Sequence, residues 1–371
     1  MFGSILTTIL VLSFLILIHE LGHFLAAKKS GVYVEEFGIG LPPRIFGKKF
    51  GETIYSVNVL PFGGFVKLHG ENSLDGIKYP KRSFLKKSKK TRILIITAGV
   101  LMNFIVGILA FSVTYSFSGI PRSTGNVKVI EVVSGSPAQI SGILVGDVVK
   151  KVDEKSVSDT SEFISLVNEK LDQKVLVEIE RTWGEESETE KLRITPRADP
   201  PENEGPLGVI ITSTETYYPP IWQRPFVGIY YGFKEAIFWG ITILQGLYSM
   251  IIGLFSGKVP QDVSGPVGIF AITTEAAKYG ILSLINFIGI FSVNLAILNI
   301  IPFPALDGGR ILFIAIETIV GKKVLPKIEN MAHSIGMILL LTLLVILTAR
   351  DIQRLVAAGG SISKFLDSVV K

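Results

Sequence analysis

The chain has 371 residues, of which 48% are hydrophobic and only 19% are charged, and its net charge is +5. Soluble domains carry about 25% charged residues, so this composition indicates a membrane protein with a soluble part. The sequence contains no cysteine, which excludes a disulfide framework, a thiolate metal site and a cysteine nucleophile.

Five uncharged stretches are long enough to cross a bilayer, since about 20 apolar residues span the hydrocarbon core as a helix. They occupy residues 1–18, 93–121, 236–257, 280–306 and 331–349, the last of which contains His333. A signal peptide is the weaker interpretation of the first stretch. No Lys or Arg precedes it, whereas signal peptides begin with a basic region.

The distribution of charge predicts the orientation of the chain. Residues Lys28–Arg92 contain 14 Lys and Arg against 5 Asp and Glu, whereas Arg122–Glu235 contains 13 against 19. Lys and Arg near the ends of spans remain in the cytoplasm. We therefore expect Lys28–Arg92 to be cytoplasmic and Arg122–Glu235 to lie outside. The basic cluster indicates contact with anionic lipid rather than nucleic acid.

The first span ends in the sequence His19-Glu20-Leu21-Gly22-His23, an H-E-x-x-H pattern. Residues i and i+4 share one face of a helix, so His19 and His23 are able to bind one Zn²⁺ while Glu20 activates a water molecule. The site would lie about 13 Å inside the charged edge at Lys28. The alternative is that these polar residues lie in interfacial water without a functional partner.

A catalytic zinc needs a third protein ligand. Asp307 is the leading candidate, because two prolines and two glycines around it predict irregular backbone at membrane depth, which is tolerated only around a cavity or inside protein. Glu317 and His333 remain alternatives, and a polar packing contact is the simpler interpretation of His333.

These motifs together resemble the site-2 protease family of intramembrane metalloproteases, in the bacterial branch that carries a PDZ domain. The resemblance rests on the zinc motif, on Leu306-Asp307-Gly308, on Gly99 with Asn103, and on Ser264-Gly265-Pro266-Val267-Gly268, which cover nearly the whole chain in order.

The resemblance implies roles for individual residues. It implies that His19, His23 and Asp307 bind Zn²⁺ and that Glu20 is the catalytic base. Asn299 and Pro302, from the Asn-x-x-Pro segment, would lie near the scissile carbonyl, although Asn is also a common helix cap. Gly99 and Asn103 would pack the second span against the zinc helix.

The ligand set constrains the topology, because Asp307 must reach the depth of His19. We therefore predict that residues 236–257 skim or dip into the outer leaflet without crossing. Five crossings would require a different ligand set.

The expected fold is a polytopic α-helical membrane protein with four transmembrane helices, membrane-dipping β-hairpins and one extracytoplasmic PDZ domain of α+β type. The expected segments are a zinc-motif span 1–28, a β region and basic loop 29–92, a second span 93–120, the PDZ domain 121–200, a linker and skimming region 201–279, a third span 280–309, a cytoplasmic segment with the fourth span 310–349, and an outer tail 350–371.

The cytoplasmic region 32–68 alternates like β-strands, with turns marked by glycine. Gly38 and Gly40, with Gly63 and Gly64, resemble the turns of the family's membrane-dipping β-structure. A strand edge there would hold the peptide groups of an unwound substrate helix. The alternative is a small hairpin without a role in substrate binding.

The outer region 127–196 alternates between strands and helices. Gly135-Ser136-Pro137-Ala138 with Gly146-Asp147 resembles a single PDZ domain, which implies binding of a peptide or C-terminus in a groove. The sequence therefore predicts a zinc endopeptidase of the bacterial cytoplasmic membrane that cleaves single-span proteins, with anti-sigma factors and remnant signal peptides as implied substrates. A non-enzymatic PDZ scaffold and an ion transporter are the alternative functions.

Overall fold

The computed structural model describes residues 2–71, 78–184, 186–201, 204–256, 264–321 and 324–370. The chain forms two compact units, one made of Met1–Ser118 with Ile221–Lys371 and the other of Gly119–Pro220. The α-helices are α1 Phe2–Lys29, α2 Lys89–Ser118, α3 Pro137–Ile140, α4 Thr160–Asn168, α5 Arg224–Phe255, α6 Pro266–Lys278, α7 Ile281–Ile300, α8 Asp307–Val320, α9 Pro326–Ala357 and α10 Ile362–Val370. The strands are β1 Val34–Phe50, β2 Thr53–Leu68, β3 Ile120–Val132, β4 Val148–Val152, β5 Lys155–Ser156, β6 Val175–Trp183, β7 Glu186–Ile194 and β8 Val209–Tyr217.

Five helices in the described part of the chain are long and apolar enough to cross a membrane. Four of them, in α1, α2, α7 and α9, coincide with the predicted spans, and the fifth lies in α5. The number of helices that cross the bilayer stays a prediction.

Helix α5 packs lengthwise against α2. A Cβ atom on Gly228 would lie 2.2 Å from Ser116 Oγ, and one on Gly232 would lie 2.4 Å from Ser112 Oγ, so the two helices are antiparallel. Small residues allow such close approach. Tyr115 also donates a hydrogen bond to Glu235 at 2.8 Å. This packing aligns the first half of α5 with the neighbouring helix, and the skimming course of residues 236–257 stays a prediction.

Helix α7 also runs antiparallel to α2. Gly289 lies against Phe111, and Val293 lies one turn further along, against Gly107. Because α5 and α7 both run antiparallel to α2, the chain returns between them before α7 begins. This return brings the end of α7, and the Asp307 loop after it, to the end of α2 at which α1 also ends.

The β region of β1 and β2 is a bent antiparallel sheet. Residues 36–39 of β1 pair on one side with 64–67 of β2 and on the other with 54–57, and residues 54–57 also pair with 46–49. The two long strands therefore form four short segments, with 64–68 at one edge. Gly38 and Gly40 permit the bend, since a Cβ on Gly38 would lie 2.4 Å from the Phe65 ring.

The second unit is a sheet with strand order β7-β6-β4-β3-β8, and β5 pairs with β4. Its core contains Val129, Phe163, Val177 and Ile179. Arg181 binds the buried Asp147 through two hydrogen bonds of 2.8 and 2.7 Å, which fixes the Gly-Asp turn before β4. The unit extends to Pro220 rather than to residue 200, because β8 pairs with β3 along its length.

Candidate metal centre

Two histidines one turn apart on α1 meet an aspartate from the start of α8. His19 Nε2 lies 3.0 Å and His23 Nε2 lies 3.1 Å from Asp307 Oδ2. The two Nε2 atoms are 3.1 Å from each other. Within the described ranges this is the group of three His, Cys, Asp or Glu residues whose ligand atoms lie close enough to share one ion.

The donor atoms fit a zinc ion. Tetrahedral Zn²⁺ with bonds of about 2.0–2.1 Å holds its ligand atoms about 3.3 Å apart, close to the separations of these three atoms. Asp307 Oδ2 is buried and accepts no hydrogen bond from the described residues. A charged oxygen without a hydrogen bond is costly inside a protein, and a cation between the three atoms removes that cost.

A backbone carbonyl of α2 orients one of the histidines. His23 Nδ1 lies 2.8 Å from Ile95 O, and because the carbonyl only accepts, Nδ1 carries the proton. The Nε2 atom of His23 is then free to bind a metal. Such a contact behind a metal-binding histidine fixes its tautomer and its ring orientation.

Glycine makes the approach of α1 and α2 possible. A Cβ atom on Gly99 would lie 2.4 Å from His23 Nε2 and 2.8 Å from His19 Cε1, distances that real Cβ atoms do not show. Gly22 has a similar role, since its Cβ would lie 2.3 Å from the carbonyl oxygen of Ala98. The predicted packing position Gly99 therefore lies directly against both histidines. Gly22 was not singled out from the sequence, although it stands inside the motif.

The aspartate is presented by a tight turn between α7 and α8. A Cβ on Gly308 would lie 2.1 Å from Ile301 O, and one on Gly309 would lie 2.5 Å from Phe303 O. The carbonyls of the loop therefore lie directly against the first turn of α8. This close packing places Asp307, the first residue of α8, opposite the histidines.

A cavity of about 740 Å³ opens beside two of the three ligand residues, His23 and Asp307. Glu20, His23 and Asp307 line it together with Phe65 and Val66 from the edge segment of the β region. Glu20 Oε2 accepts a hydrogen bond of 3.0 Å from the Val66 amide. The carboxylate next to the metal site is thus held against the edge strand.

Other predicted site residues lie away from this cavity. Among the described residues, neither Asn299 near the end of α7 nor Pro302 belongs to its lining. Asn103 is buried, and its backbone oxygen accepts a hydrogen bond of 2.7 Å from Ser292, which joins α2 to α7. The substrate contacts of Asn299 and Pro302 and the packing of Asn103 against the zinc helix stay predictions.

The glycines of the second turn contact the zinc helix. A Cβ on Gly63 would lie 2.8 Å from a methyl group of Ile16, and one on Gly64 would lie 3.1 Å from Leu17. Ser13 Oγ donates a hydrogen bond of 2.7 Å to Pro61 O. The β region is therefore packed directly against α1.

The alternative third ligands have other partners. Glu317 forms a buried ion pair with Arg92 at 2.9 Å, and His333 Nδ1 accepts a hydrogen bond from the Ala305 amide. A second ion pair, between Arg310 and Glu71, lies in the cavity wall and was not predicted. The sequence offers no spacing that would join two residues 239 positions apart.

The sequence is similar to known proteins over nearly its whole length. A protein of Clostridium perfringens is 37% identical over 349 residues, which cover 94% of this chain and 98% of the relative. Proteins named zinc metalloprotease RasP are similar at 29% identity in Geobacillus kaustophilus and 26% in Oceanobacillus iheyensis, over 95% of this chain and 98% and 99% of the relatives.

A solved PDZ domain of an SdrC-like protein from Listeria monocytogenes covers 25% of this chain and 93% of its own, at 19% identity and a TM-score of 0.20. The profile of peptidase family M50 matches residues 7–343, from α1 to α9. The predicted resemblance to an intramembrane metalloprotease family is therefore confirmed, and the chain belongs to peptidase family M50.

Proposed function

We propose that the chain is a zinc-dependent endopeptidase that cleaves transmembrane segments of other proteins within the membrane. The observation that carries the proposal is the convergence of His19, His23 and Asp307, two of which line one cavity together with Glu20. The relatives named above as zinc metalloproteases support the choice of metal.

The residues of the chain divide the chemistry between them. His19, His23 and Asp307 would hold the zinc, which polarises a carbonyl and lowers the pKa of a bound water. Glu20 takes the proton of the attacking water and returns it to the amine that leaves. The Val66 amide orients the Glu20 carboxylate by its hydrogen bond.

The edge segment 64–68 is the proposed binding site for the substrate backbone. A transmembrane helix satisfies its own peptide groups, so cleavage requires it to unwind and to find new hydrogen-bond partners. Segment 64–68 pairs with β1 on one side only, and Phe65 and Val66 line the cavity with Glu20. A substrate strand added at this edge would pass the catalytic base.

Unit Gly119–Pro220 is proposed to be an outer PDZ domain that selects substrates. β8 is the last strand of the sheet, so among the described strands it pairs on one side only, with β3. Helix α4 packs into the same core through Phe163 and Val167. Peptides bind by adding a strand at such an edge. Trimmed membrane proteins, including anti-sigma factors and remnant signal peptides, are the proposed substrates, and the bacterial cytoplasmic membrane is the proposed location.

Purified full-length protein with a fluorogenic single-span substrate tests the proposal. Glu20→Gln should retain zinc but reduce kcat by about 10²–10⁴-fold, the range of a lost general base. Asp307→Asn should lose zinc as well as activity. Glu188→Gln, an exposed change on β7 at the opposite end of that sheet from β8, serves as the matched control and should behave like the wild type. Cleavage that survives Glu20→Gln would contradict the mechanism.

A further inference from the structure

The turn that aims Asp307 contains an unfavourable backbone conformation. Ala305, two residues before Asp307, has a φ of 83°, in the left-handed region that residues with side chains rarely adopt. Such a conformation persists only where the surroundings impose it. The direction of the Asp307 carboxylate therefore depends on whatever holds the Ala305 turn.

His333 on α9 holds this turn. The Ala305 amide donates a hydrogen bond of 2.9 Å to His333 Nδ1, so the imidazole is neutral with its proton on Nε2. The ring lies 5.9 Å from that of Phe313 on α8. One turn later on α9, a Cβ on Gly336 would lie 2.3 Å from Pro304 O, so α9 rests directly on the loop.

We propose that His333 is a positioning residue for the third metal ligand, acting through the Ala305 turn on Asp307. His333 is not itself a member of the ligand group among the described residues, and its Nδ1 is already occupied. The inference rests on the proposed function, because it gives α9 a part in holding the metal. Contacts behind a ligand typically change metal affinity or activity by about 10- to 100-fold.

Two substitutions separate the hydrogen bond from the bulk of the ring. His333→Asn places an amide oxygen near the position of Nδ1 and keeps an acceptor for the Ala305 amide. His333→Phe keeps a ring of similar size but has no acceptor. Met331→Leu, on an exposed part of the same helix, is the control for general effects on α9.

Zinc affinity is measured by competition with a chelator on full-length protein, alongside kcat and KM for a single-span substrate. We expect His333→Phe to weaken zinc binding about 10- to 100-fold and to lower kcat with KM changed less than about threefold. His333→Asn and Met331→Leu should remain within about threefold of the wild type. Unchanged zinc affinity in His333→Phe, or equal losses in the Asn and Phe variants, would overturn the inference.

A second substitution tests whether the effect passes through the turn. Glycine adopts positive φ without steric cost, so Ala305→Gly should make the turn less dependent on His333. Added to His333→Phe, it should recover zinc affinity at least about threefold. A double variant as weak as His333→Phe would refute action through the turn. Wild-type protein that binds no zinc would instead refute the proposed function, so the two failures are distinguishable.

Discussion

We expect Gly99→Ala to displace a ligand of the metal centre. The new Cβ would lie 2.4 Å from His23 Nε2 and 2.6 Å from His23 Cε1, where ordinary contacts are 3.4–4 Å. The added methyl group therefore requires α1 and α2 to separate, or the histidine to swing away, by about 1 Å. Zinc sites tolerate about 0.2 Å of variation in ligand distance.

The expected result is a folded protein with a damaged site. A misplacement of about 1 Å costs on the order of 100-fold in rate, so we expect kcat/KM to fall at least about that far, with a parallel loss of zinc affinity. Separation of the helices would also stretch the bond from His23 Nδ1 to Ile95 O, which is 2.8 Å long. Chelator competition and the single-span cleavage assay measure the two effects.

Gly107→Ala is the matched control on the same helix. Its Cβ would lie 2.6 Å from a methyl group of Val293 on α7, so it disturbs helix packing without touching a metal ligand. It should lower thermal stability while zinc affinity stays within about threefold of the wild type. The reasoning is refuted if Gly99→Ala binds zinc like the wild type, or if Gly107→Ala loses zinc equally.

Two further predictions concern charged groups outside the metal centre. Arg92→Ala leaves Glu317 buried without the partner that lies 2.9 Å away, so the free energy of unfolding should fall by about 3–5 kcal/mol. Thermal unfolding in detergent measures this loss of stability. An unchanged melting temperature would contradict the prediction. Hydrogen bonds from Arg82, and then from Lys28, lower the pKa of Glu52 to about 2 from 4.5. Because the folded pKa is the lower one, this carboxylate stabilises the fold above pH 4.5 and that contribution is lost as the pH falls toward 2. Glu52→Gln should therefore flatten the pH dependence of the melting temperature in this window, and an unaltered profile would exclude the effect.

The pair of histidine ligands was predictable from the sequence, because the spacing of two residues on one helix determines whether their side chains lie on the same face and can bind the same ion. His19 and His23 are four residues apart, and the structure places their Nε2 atoms 3.1 Å from each other. The candidacy of Asp307 followed from irregular backbone at membrane depth. The confirmed family membership agrees with the metallopeptidase prediction that these residues carried.

Contacts between distant segments were not predictable in the same way. β8 follows a stretch rich in Pro and Glu that reads as a linker, and only its pairing with β3, about 90 residues earlier, makes it part of the second unit. The uncharged stretch 236–257 likewise indicated length and composition but no packing partner. In the structure it belongs to the longer helix α5, which contacts α2 through Gly228 and Gly232. His333 was interpreted as a packing contact, and its acceptor role depends on the conformation of Ala305.

The glycines of the site share one physical reason. Apolar helices in a bilayer gain no hydrophobic free energy by associating, so close packing must hold them together. At Gly22, Gly99, Gly308 and Gly336 a Cβ would lie within 2.4 Å of a backbone oxygen or a histidine nitrogen. These glycines lie on α1, α2, α8 and α9 in that order, and each lets its helix pack closely against the neighbouring backbone oxygen or histidine ring. Their common location indicates that the metal centre is shaped by helix packing, so that loss of packing at any of these points should appear first as loss of zinc.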